Sequence, residues 1–146
     1  MPKAQSASRG GIREGMTQDR ITLTVPAKSE YSKTVRMTAA ALVSRMGMTY
    51  DDVDDVKMAA EEAFVYATES LPDDAEVRFE FTVNEDQIVI DVGLGVEGPE
   101  SDEEAERRAS YATFILQSVC DSYDFSSDEN GAHLRLTKRV GVGDGD

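Results

Sequence analysis

The sequence holds a single cysteine and a single histidine in 146 residues. One cysteine, Cys120, excludes a disulfide framework within the chain. It follows Val119 on an apolar helical face and reads as core rather than nucleophile. The one histidine, His133, has no Cys, Asp or Glu at metal-ligand spacing and reads as a surface side chain. Basic residues are also scarce: 15 Lys and Arg against 29 Asp and Glu give a formal net charge of −14. That charge argues against direct nucleic-acid binding and against an anionic membrane surface. No apolar run approaches the roughly 18 residues of a membrane span, and no apolar stretch follows the N-terminal charges as in a signal peptide. Internal repeats are missing too. What remains is an acidic, cytoplasmic domain whose 40% hydrophobic content is enough for a core.

Residues 1–19, rich in Ser, Gly, Gln and Lys/Arg and without an apolar period, are expected to form a mobile tail, with Met16 an alternative start. Residues 141–146 are too glycine-rich to hold structure, which leaves 20–140 as the folded unit. Within it Ile21, Leu23 and Val25 alternate as in a half-buried strand that Pro26 ends. Tyr31, Val35, Thr38, Leu42 and Met46 recur at helical spacing, with Gly47 placed to stop the helix. Thr49 caps a second helix, with Asp52 completing the box and Val53, Val56, Ala60, Ala63, Phe64 and Ala67 forming its stripe. Val77–Val83 and Ile88–Val96 alternate as two strands around Asn84-Glu85-Asp86. Ser101 and Glu104 suggest the capping box of a third helix, whose buried face is Ala105, Ala109, Ala112, Leu116 and Val119. Tyr123 and Phe125, a turn at Asp128–Gly131, then Leu134 and Leu136 mark a closing hairpin. The order β-α-α-β-β-α-β-β predicts an α+β fold, a two-layer α/β sandwich with a mixed, mostly antiparallel sheet and helices on one face.

Three stretches carry a resemblance. They are Val25-Pro26-Ala27-Lys28-Ser29-Glu30-Tyr31 with Ser44–Val53, the helix Val56–Ala67, and the strand Gly131–Lys138. In this order they resemble the bacterial anti-sigma factor serine kinases of the GHKL (Bergerat-type) ATPases. The resemblance covers nearly all of 20–140. It implies a sheet backed by helices with an Mg-ATP/ADP pocket between them, and a homodimer. It also implies two partners: a sigma factor, held inactive, and an anti-anti-sigma antagonist, phosphorylated on serine.

The family's catalytic parts match unevenly. Glu62 falls on the catalytic-base glutamate of its Glu-Ala-x-x-Asn-Ala pattern, with Ala63 and Ala67 on the alanines. Tyr66 falls on the metal-holding asparagine, and a phenol is a bulkier and poorer neutral ligand for Mg²⁺ than a carboxamide oxygen. Asp91-Val92-Gly93-Leu94-Gly95 spells the family's adenine-binding Asp-x-Gly-x-Gly, with Asp91, Gly93 and Gly95 as candidate nucleotide contacts. The alternation from Ile88 to Val96 runs through that motif, however, and a strand of family length would put the aspartate near Leu94, so both registers stay open. The family's phosphate-binding glycines fall on Ala109–Phe114, where side chains stand instead. The lid before them is short and acidic, and carboxylates there repel a triphosphate. Arg36, on the first helix, matches a partner-contacting arginine of the family, or is a solvated helix arginine. The expectation is an anti-sigma-type regulator acting by protein binding, with ATP binding and kinase activity lost or weakened. The alternatives are an active serine kinase using Glu62 and Asp91, and an assembly module whose dimer is its only role.

Overall fold

The computed structural model describes residues 18–95 and 102–140. The tails beyond them and the lid residues 96–101, including Ser101, lie outside the described residues. The elements run β1 (Asp19–Pro26), a 3-10 turn (Ser29–Tyr31), α1 (Ser32–Val43), α2 (Tyr50–Ser70), β2 (Glu76–Val83), β3 (Gln87–Gly93), α3 (Glu103–Val119), β4 (Ser122–Asp128) and β5 (Gly131–Arg139).

Local chemistry explains the boundaries. Helix α1 stops at Val43, three residues short of the Met46 expected from periodicity. The Ser44 N–H closes the last turn on the Ala40 carbonyl, and Gly47 then turns the chain at φ +78°. At the start of α2 the Thr49 hydroxyl accepts from the Asp52 N–H at 3.0 Å, while Asp51 and Asp52 lie at the positive helix end. The cap of α3 is Asp102, whose Oδ1 accepts from the Ala105 N–H at 2.8 Å.

The strands form one sheet in the order β1-β2-β3-β5-β4, and every neighbouring pair is antiparallel. The expected mixed sheet is thus corrected. A helical hairpin, α1 and α2, separates β1 from β2 and returns the chain to the end of the sheet it left, where Glu76 starts β2 opposite Pro26. One helix and one strand separate β3 from β5 with the same result. The sheet's two faces differ sharply. Val77, Phe79, Phe81, Ile88, Ile90, Val92, Leu134 and Leu136 are buried under the helices, while Arg78, Glu80, Asp91, His133 and Arg135 occupy the alternate, open face. Phe79 and Phe81, two residues apart on one strand, stack at 5.7 Å, and Phe64 of α2 joins them at 6.3 Å from Phe79. Burying each such ring contributes about 1.5–3 kcal/mol. At the edge of this core Lys138 reaches α2, with its Nζ 3.1 Å from Asp55 and 3.6 Å from Asp52.

Candidate functional site

Glu62 and Tyr66 lie one turn apart on α2, as their spacing requires. Glu62 is half-buried, and burial, then the charges of Glu69 and Glu61, push its carboxyl above the usual range. Tyr66 is only 4% exposed, with its ring edge-on to Phe125 at 5.7 Å between centroids. Burial raises the phenol, Arg108 lowers it, and Glu69 raises it again. Arg108 also reaches Glu69 at 3.6 Å, linking α3 to α2. Ala59, Ala60, Ala63 and Ala67 of α2 and Ala112 of α3 are all buried, and such small side chains let two helices approach closely. Phe114, beside the expected buried face of α3, is instead exposed, as is Tyr111.

Asp91 sits elsewhere. It lies within β3, paired with Glu80 on one side and Arg135 on the other, and so faces away from the helices. Its Oδ1 contacts His133 Nδ1 at 2.8 Å and its Oδ2 accepts from Arg135 at 3.2 Å. The strand therefore continues through Asp91, as the alternation suggested. Glu62 and Asp91 are on opposite sides of the sheet and do not meet. Gly93 shares the open face with Asp91. Gly95 has a backbone reason of its own: its φ is +95°, and a Cβ there would come within 2.9 Å of Leu71. Its carbonyl accepts from the Ala132 N–H at 3.0 Å, extending the β3–β5 pairing past the strand end.

Arg36 is half-buried, its Nη1 3.1 Å from Glu61 Oε1 across the α1–α2 hairpin. Met37 beside it on α1 and Met58 on α2 are about half exposed.

Sequence reasoning missed the surroundings of His133. Its partners, Asp91 and Asp128, are brought to it by strand pairing; only Asp128, across the tight β4–β5 turn, was close enough in sequence to be found. Among the described residues, no group of three or more His, Cys, Asp or Glu is placed to hold a metal ion, and no helix is long and apolar enough to cross a membrane.

Residues 25–138 match the family described as the histidine kinase-like ATPase domain. The chain belongs to that family. Curated relatives of the chain carry the name serine-protein kinase RsbW. It is 30% identical over 139 residues to the serine-protein kinase RsbW of Listeria monocytogenes serotype 4a, spanning 84% of this chain and 88% of that one. The serine-protein kinase RsbW of Bacillus velezensis is 31% identical over 137 residues, spanning 82% and 85%. Among solved structures, the RsbU and RsbW domains of a Mycobacterium tuberculosis protein superpose with a TM-score of 0.62 at 15% identity. That match covers 84% of this chain and 32% of the longer one, and speaks for the shared fold. GHKL ATPases normally bind Mg-ATP.

Proposed function

We propose that this protein is an anti-sigma-type regulator of transcription that acts by protein–protein binding, with ATP binding and kinase activity lost or weakened. Tyr66 carries the reading. At the position expected to hold the metal, its ring is packed against Phe125 and only 4% exposed. A buried neutral phenol is a poor ligand for a hard cation that demands near-octahedral oxygen donors. Asp91, the expected adenine contact, is committed to His133 and Arg135 on the far face. The placement of Tyr66 and Asp91 speaks against Mg-ATP, and no step of the action is routed through it.

The partners are a sigma factor and an anti-anti-sigma antagonist, and the working unit is a homodimer. Helix α1 contributes to the sigma contact through Arg36, whose fork Glu61 holds in place, and through the exposed Met37. The acidic field favours basic patches on the partner and speeds the encounter. One observation favours the active-kinase reading: a carboxyl raised by burial, like Glu62, suits a general base.

The test is to incubate the protein with Mg-ATP and an anti-anti-sigma protein, assay phosphoserine, and measure sigma-factor binding in parallel. The expected outcome is sigma binding, weakened about ten-fold by Arg36→Ala, with no phosphate transferred. Phosphoserine that disappears in Glu62→Ala establishes the kinase instead.

A further inference from the structure

The open face of the sheet carries a cavity of about 370 Å³. Its shape follows from one missing side chain. Gly93 pairs with His133 of β5, which in turn pairs with Ser126 of β4. Continuing the β2–β3 register by one residue sets Arg78 opposite Gly93 on the other side. The row across the sheet therefore reads Arg78, Gly93, His133, Ser126, with a gap at its second place. Strands lie about 4.8 Å apart, so the walls stand roughly 10 Å from each other. A Cβ built on Gly93 meets nothing within 4 Å. Neither crowding nor a positive φ explains this glycine, and a strand glycine of that kind marks a place where another group approaches the backbone.

The charges around the gap are unequally satisfied. Glu80 is paired with Arg20 at 3.0 Å, and Asp91 with His133 and Arg135. Among the described residues Arg78 has no carboxylate partner, so its exposed guanidinium is an open donor pole on one wall. The opposite corner is rich in acceptors. Asp128 is 56% exposed, and its Oδ1 is held by the Asn130 N–H at 2.8 Å. His133 donates from Nδ1 to Asp91, because a carboxylate can only accept. Its Nε2 lies sealed from solvent 3.3 Å from Asp128 Oδ1, without a hydrogen-bond partner.

A donor pole on β2 and an acceptor pole at the β4–β5 corner, with a bare strand glycine between them, match one ligand chemistry. We propose that this cavity binds a small amino-acid zwitterion, its carboxylate on the Arg78 fork and its ammonium at Asp128 beside His133. Arginine's planar fork suits a carboxylate. A neutral zwitterion also escapes the repulsion that a chain of charge −14 exerts on simple anions. The site is separate from the helix-covered side of the sheet on which Glu62 and Tyr66 lie, so it stands whether or not the regulator reading holds.

The test is an amide NMR titration of the full chain with L-alanine, γ-aminobutyrate, acetate and glycine betaine. L-Alanine or γ-aminobutyrate is expected to give saturable shifts centred on Arg78, Gly93, Ser126 and Asn130. Acetate lacks the ammonium and betaine lacks N–H donors, so each is expected to bind at least about ten-fold more weakly. Gly93→Val fills the gap without touching the helix-covered core, and Arg78→Gln removes the fork at an exposed position. Both are expected to abolish the shifts, while Arg36→Ala keeps them. No saturable shift in the unmodified chain, shifts that survive both variants, or acetate binding equal to the tighter of the two amino acids each overturns the proposal.

Discussion

Replacing Tyr66 by asparagine restores the residue type that the family resemblance expects and removes a ring that is 4% exposed and packed on Phe125. An aromatic side chain buries about 150–250 Å², worth about 4–6 kcal/mol at 25 cal/mol per Å². Measured aromatic truncations in cores cost about 3–5 kcal/mol. The new amide, if left without partners, adds about 1–3 kcal/mol more. Against a total stability of about 5–15 kcal/mol, the variant is expected to melt more than about 10 °C below the unmodified protein. Circular-dichroism melts and urea midpoints with unchanged slope measure this. A loss under about 1 kcal/mol would mean that the ring is not part of the packed interior, and Tyr66 would no longer speak against a metal at that position. The same melts carry a second readout. A ligand present at about 100 times its Kd adds about 2.7 kcal/mol, so Mg-ATP at millimolar concentration is expected to leave the Tm of the unmodified protein where it was.

Lys138→Met removes the cation that ties β5 to Asp55 and Asp52 of α2 and is expected to cost about 1–3 kcal/mol at neutral pH. Burial alone lowers the Lys138 pKa, but its hydrogen bond to Asp55 and the charges of Asp55 and Asp52 raise it overall. Its contribution therefore holds at neutral pH and up to the ordinary lysine pKa of about 10.4 and fades as pH climbs through the raised folded value, so urea midpoints of the two proteins should converge on going from neutral pH into strong alkali. Glu62→Gln is expected to raise the Tm at neutral pH, because burial, Glu69 and Glu61 all oppose its charge. The gain should vanish in acid, where the carboxyl is protonated in both states. Burial pushes the Cys120 thiol up to about 12, so a thiol-reactive dye at mildly alkaline pH should label the native protein far more slowly than the urea-unfolded chain.

The periodicity of the chain made the element order legible because each apolar stripe has one face to bury. The capped start of α2 at Thr49 was visible for the same local reason. Where two signals competed, the sequence was ambiguous. Val35, Ala39 and Val43 form the deep face of α1, while the stripe read from Thr38 and Leu42 is only half-buried, since small alanines give a weak hydrophobic signal beside larger neighbours. Ser101 and Asp102 are both good caps, and local sequence does not choose between them. The surroundings of Asp91 depend on pairing between β3 and β5, separated in sequence by α3 and β4. No spacing rule reaches across that distance, so the His133 and Arg135 contacts were invisible in the sequence. The alternation through Ile90 and Val92 was the better guide to where Asp91 points.

Calorimetric titration of the purified protein with Mg-ATP most directly tests whether the regulator works without the nucleotide chemistry of its family. No saturable heat is predicted up to millimolar nucleotide. A saturable heat that is lost in Glu62→Ala, together with transfer of phosphate to a serine of an anti-anti-sigma protein, would contradict it.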